Sequence, residues 1–272
     1  MLDDAISGGF VEITEVSDQG SVPELRVVNR GQKPTLIVDG EELVGAKQNR
    51  VVNLTILVAA QSELTIPVSC VEAGRWRARS RAFSSAPRTQ YASGRAKRMA
   101  QVTRSMQASG RYHSDQAEVW SDIAHKAARL QSSSPTGAME AIFVDHAAFL
   151  DSSVAALKPV DRQVGATFMV GERVIGFDLF DVESTLRKLL PKLVRSAAVE
   201  ALEASETSAS PDERSTRRQQ SCEQFLAVVA EAPASLSGAV GLGEDVRITG
   251  HGLAGAALVV KGHVVHLSAL AM

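Results

Sequence analysis

The residues best able to do chemistry cluster in two short blocks. The first, DGEELVGAKQNR (residues 39–50), sets Asp39, Glu41 and Glu42 ahead of Lys47, Gln48, Asn49 and Arg50. Three carboxylates followed by two cations suit general acid–base work, or a divalent cation such as Mg²⁺ held by oxygen ligands. Lys, Gln, Asn and Arg are all donors suited to a phosphate or a nucleobase edge. The plain alternative is a solvated β-turn followed by a polar strand entry.

The second block, IPVSCVEAGRW (residues 66–76), carries Cys70, Glu72, Arg75 and Trp76. A nucleophilic cysteine needs a lowered pKa, which the arginines downstream could supply. A strand cysteine between valines also reads as a small core residue. Strand alternation puts Cys70 and Glu72 on one face, so Glu72 is either a catalytic carboxylate or the ion-pair mate of an arginine.

The net charge of −2 hides a strong asymmetry. Residues 1–72 hold eleven acids and five bases, residues 73–114 hold ten bases and no acid, and the remainder holds twenty acids and fourteen bases. The basic stretch comprises Arg75, Arg77, Arg79, Arg81, Arg88, Arg95, Lys97, Arg98, Arg104 and Arg111, with Trp76 and Tyr91 among them. It could bind polyphosphate or nucleic acid, or neutralise the acidic thirds of its own chain. The pI of about 6.3 argues against nucleic acid and favours a discrete anionic small molecule.

Other signatures are missing. The six histidines show no HxxxH or HxH spacing, the glycines near Gly241 do not open a helix after a strand, and no Walker, GxSxG or paired CxxC motif occurs. Two cysteines 152 positions apart make no disulfide framework, so a reduced, cytoplasmic protein is expected. No apolar run reaches the ~18 residues of a membrane helix.

The elements that must position these groups follow from periodicity. Phe10–Val16, Pro23–Val28, Thr35–Val38, Val51–Val58 and Leu64–Val71 read as strands, the last two as an antiparallel pair joined through Ala60, Gln61 and Ser62. Residues from Gly74 onward read as a long loop, then a basic helix from about Ser93 to Gln107. Ser114 can cap the next helix, and a further helix spans Gly137–Leu150. VGATFMV and RVIGFDLF form a hairpin across Gly171-Glu172. A long helix follows from Asp181 or Ser184, bent by Pro191; Ser205–Ser215 reads as a surface loop and 216–230 as a helix. The chain ends in strands at Val246–Thr249, Ala254–Val260 and His263–Ala269. Antiparallel β units at both ends of the chain, a helical middle and no regular βαβ repeat give an α+β class. One domain over 1–272 is expected, with sub-units 1–72, 73–150 and 151–272.

DGEELVGAKQNR, IPVSCVEAGRW, DQAEVW (115–120) and GFDLFD (176–181), in this order, resemble the bacterial ARG- and rhodanese-phosphatase-superfamily-associated protein domain family. The resemblance runs from about residue 8 to the C-terminus. The family's association with ADP-ribosylglycohydrolases and with rhodanese- or phosphatase-like proteins implies a place in NAD or ADP-ribose metabolism. No catalytic role transfers with it to a particular residue.

Together these readings give a binder, and hydrolytic processor, of a phosphorylated nucleotide-like ligand. Glu42 and Glu72 would act as base or metal ligand, Lys47, Gln48, Asn49, Arg50 and Arg75 would hold the ligand, and Trp76 would stack on it. The rivals are a non-enzymatic module whose arginines dock a protein or nucleic acid, and a thiol-dependent enzyme using Cys70.

Overall fold

The computed structural model describes residues 1–17, 19–204 and 211–272 and is α+β, with two antiparallel six-stranded sheets. A short helix, α1 (Leu2–Ser7), precedes β1 (Val11–Glu15) and β2 (Glu24–Asn29). Then follow β3 (Thr35–Ile37), β4 (Glu41–Gly45), β5 (Arg50–Val52), β6 (Ile56–Val58), β7 (Ser62–Cys70) and β8 (Phe83–Thr89). The first sheet runs β1-β2-β7-β5-β4-β8, and β3 pairs with β6 in a separate ribbon. Alternation turns Val11, Ile13, Leu25, Val27, Ile66 and Val68 inward onto one core.

Two expectations change here. The run Val51–Val58 is two strands. β5 pairs with β7, placing Arg50 opposite Cys70, whereas β6 leaves to pair with β3. The polar residues between them explain the bend: Asn53 donates to the Tyr112 carbonyl and accepts from Ser69, and Thr55 meets His266. The loop expected after Gly74 contains β8, whose Ser and Pro content suits a sheet edge, the place where a strand tolerates a missing N–H.

The helical middle comprises α2 (Ala92–Ser109), α3 (Gln116–Arg129), α4 (Glu140–Asp145) and α5 (Ala147–Ala156). Asp115, not Ser114, caps α3 by accepting from the amides of Ala117 and Glu118; the Ser114 hydroxyl is engaged with Ser69. The helix expected over 137–150 is broken at His146. The hairpin is present as β9 (Gly165–Val170) and β10 (Arg173–Phe180), followed by α6 (Glu183–Ala201), which contains Pro191. The surface loop expected over 205–215 falls partly outside the described residues, and α7 (Pro211–Glu231) already covers 211–215. The chain closes with β11 (Ala234–Gly238), β12 (Glu244–Gly250), β13 (Leu253–Val260) and β14 (His263–Ala271), giving the second sheet the order β11-β12-β13-β14-β10-β9.

Helices tie the sheets together. Leu186, Leu189, Leu190, Leu193 and Val194 of α6 pack with Val38, Phe180 and Leu258, and Ala96 and Met99 of α2 pack on Ala254 and Leu270. Among the described residues no helix is long and apolar enough to cross a membrane.

Candidate functional site

The carboxylates of the first block are buried: Asp39 and Glu41 are 2% exposed and Glu42 is fully covered, so the solvated-turn reading fails. Each turns to a different cation. Asp39 accepts from Arg95 Nε at 3.2 Å and Arg98 Nη2 at 2.7 Å. Glu41 accepts from Lys192 Nζ at 2.5 Å and from the Ser85 hydroxyl. Glu42 accepts from Arg88 Nε at 2.5 Å, and Arg88 Nη2 lies 3.0 Å from Glu140. Burial pushes the carboxyls of Glu41 and Glu42 upward, with Lys192 and Arg88 pulling the other way. Among the described residues no three His, Cys, Asp or Glu side chains gather as a metal set. Arg88, Arg95 and Arg98 thereby neutralise acids of both acidic thirds of the chain.

Lys47, Gln48 and Asn49 sit between β4 and β5 and Arg50 opens β5, beside the end of β7. Glu72 accepts from Arg75 Nε at 2.8 Å, from the Asn49 amide at 3.2 Å and from the Thr136 hydroxyl at 2.8 Å. Burial alone would raise its carboxyl, but Arg75, Thr136 and Asn49 outweigh burial and hold it below the usual range. Arg75 also donates to the carbonyls of Ala46 and Arg77 and to Asn49 Oδ1, so its fork shapes the 45–49 turn. Gln48 donates to the Glu72 carbonyl and accepts from Arg50 Nη1 at 3.2 Å and from the Cys70 thiol at 3.0 Å. Cys70 is fully buried, and burial raises its pKa against the pull of Arg50.

Arg50 is the exception in this network. Its side chain is fully buried, yet Nε and Nη2 have no hydrogen-bond partner; the nearest carboxylate, Glu15, is 4.0 Å from Nη2. Burial lowers its pKa. Beside it stands Trp76, 48% exposed, whose ring centroid lies 5.8 Å from Arg50 Cζ and 5.4 Å from Lys47 Nζ. Lys47 and Glu15 also line a cleft of about 420 Å³ together with Arg26, Arg30, Ser80 and Arg81. The structure thus gathers Lys47, Gln48, Asn49, Arg50, Glu72, Arg75 and Trp76, and leaves Glu42 in the neighbouring Arg88 pair. Residues 136–140 link the two: Thr136 bonds Glu72, Ala138 bridges it, and Glu140 pairs with Arg88.

A model of the family described as ARG and Rhodanese-Phosphatase-superfamily-associated Protein domain matches residues 1–270, which include every one of these groups. The chain belongs to this family. No curated protein and no solved structure matches it.

In this family member a second buried polar cluster escaped sequence reading. Arg95 donates to Asp178 at 3.0 and 3.3 Å and to the Ser268 hydroxyl at 3.0 Å; His266 Nε2 is 3.2 Å from Asp178 and its Nδ1 is 2.7 Å from the Thr55 hydroxyl. The available signal was positional: Asp178, His266 and Ser268 interrupt otherwise apolar strands, which requires a partner inside.

Proposed function

We propose that this family member binds a phosphorylated, nucleotide-like ligand in the cleft beside Lys47 and Arg81, with Trp76 as the stacking surface. The observation that carries the reading is Arg50: a fully buried guanidinium with two unpartnered nitrogens next to a half-exposed tryptophan. Leaving such donors unpaired is costly, and an anionic oxygen would satisfy them. Lys47 and Arg81 add charge at the rim, while Gln48, Asn49 and Arg75 hold the turn that presents Lys47 and Arg50. ADP-ribose is the ligand class that the family's association brings to this site.

Hydrolytic processing belongs to the same proposal. Glu42 and Glu72 are the two carboxylates such a step would use: burial pushes the Glu42 carboxyl upward against the pull of Arg88, while Arg75, Thr136 and Asn49 hold that of Glu72 below the usual range. Both are covered, so this step needs residues 136–140 to open. Calorimetric titration with ADP-ribose, NAD and inorganic phosphate tests the binding half. Affinity for ADP-ribose over phosphate supports it, and absence of binding to all three refutes it.

A second reading rests on one observation. Arg77, Arg79 and Arg81 are exposed, and among the described residues their side chains make no ion pair. A docking module would use this row, and replacing all three with Ala would then abolish capture of a partner protein while no small molecule binds.

A further inference from the structure

We propose that the cleft between α2 and α3 is a second anion site, shaped to hold a phosphate monoester group. Its cavity of about 320 Å³ is lined by Gln90, Lys97, Arg98, Arg104, Asp122 and His125, among others, and shares no residue with the cleft beside Lys47.

The deciding group is Arg98. Its side chain is fully buried; Nε donates to Gln90 Oε1 at 2.8 Å and Nη2 to Asp39 at 2.7 Å, but Nη1 has no partner. A buried guanidinium nitrogen without an acceptor costs free energy that a ligand oxygen would recover. Gln90 spends its carbonyl on Arg98, so the amide NH₂ is the group it has left to offer. Gly94, in the first turn of α2, also lines the cavity: a Cβ there would come within 2.8 Å of Gln90 Nε2 and 2.7 Å of Tyr91. Glycine inside a helix is destabilising relative to alanine, and here it leaves the Gln90 amide uncrowded.

The walls carry three cations, Lys97, Arg98 and Arg104, against two carboxylates, Glu118 and Asp122. Both carboxylates are committed, Asp122 to the Tyr91 hydroxyl at 2.6 Å and to Lys97, Glu118 to Gln101 Nε2 at 2.6 Å. Arg104 and His125 are exposed and have no ion-pair or hydrogen-bond partner among the described residues. Burial lowers the pKa of Arg98, Asp39 opposes this, and Arg95 and Arg247 add to the depression; an anion in the cleft would relieve it.

The test is ³¹P line broadening and thermal shift of the full chain with inorganic phosphate and with glycerol phosphate. Because Arg104 and His125 are exposed, Arg104→Ala combined with His125→Ala preserves the fold. The double variant should weaken binding by about tenfold or more, whereas Trp76→Ala should leave it unchanged. No broadening at millimolar ligand, equal binding by the double variant, or loss of binding in Trp76→Ala would each overturn the assignment. The double-variant arm separates this site from the proposed nucleotide cleft, because Arg104 and His125 line this cleft and not the other, so either can fail without the other.

Discussion

Arg50 lies with its guanidinium carbon 5.8 Å from the centroid of the Trp76 ring, and two of its three nitrogens have no hydrogen-bond partner. A cation placed so serves a ligand better than the fold. Arg50→Met should therefore leave stability unchanged or raise it, because removing a buried charge held only by one hydrogen bond to Gln48 and a 4.0 Å pair with Glu15 recovers desolvation free energy. Thermal unfolding reads the sign. A loss of about 3 kcal/mol or more would mark Arg50 as a structural ion-pair residue instead.

Arg95 provides the contrast. It is bonded to Asp39, Asp178 and Ser268, so Arg95→Met leaves two buried carboxylates under-compensated, Asp39 with Arg98 alone and Asp178 with His266 alone. The expected cost is about 3–5 kcal/mol, measured by denaturant unfolding at neutral pH.

Asp178 should set part of the acid limb of stability. Burial opposes ionisation, but Arg95 and His266 hold its carboxyl far below the usual carboxylate range. A group depressed in the folded state contributes stability that is fully present above its unfolded pKa of about 3.9. That contribution is lost as pH falls toward the folded value. Asp178→Asn should therefore be most destabilising above pH about 4, with the gap to the parent narrowing below it. A gap independent of pH from 7 to 2 would contradict the assignment.

Gly40 sits at φ +77, where an added Cβ would meet Arg95 Cδ at 2.9 Å. Gly40→Ala should cost more than about 1 kcal/mol through both strain and displacement of the Arg95 fork. Chemical denaturation reads the loss.

Cys70 is fully buried with a raised pKa, whereas Cys222 is only partly covered. Native protein should expose one thiol to a maleimide, at Cys222, and Cys70 should label only after denaturation. Fast native labelling of Cys70 would revive the thiol-dependent reading.

The strands were legible where alternation was clean. The β9–β10 hairpin and the β12–β14 meander end within a few residues of the expected positions, because their turns are marked by Gly171-Glu172 and Lys261-Gly262. Strands β4 and β8 were not legible, since Glu41, Glu42 and Arg88 read as surface residues until a partner from elsewhere in the sequence is supplied. The same holds for the site. The proximity of Arg50, Glu72, Arg75 and Trp76 followed from pairing the ends of two strands. The separate destinations of Asp39, Glu41 and Glu42 depend on α2, α6 and β8, which no local pattern connects to the turn.

The central claim is tested most directly by calorimetric titration of ADP-ribose into the parent protein and Trp76→Ala. The account predicts saturable binding by the parent, weakened by about 1–3 kcal/mol when the stacking ring is removed. Equal affinity in the two proteins, or no heat with the parent, would contradict it.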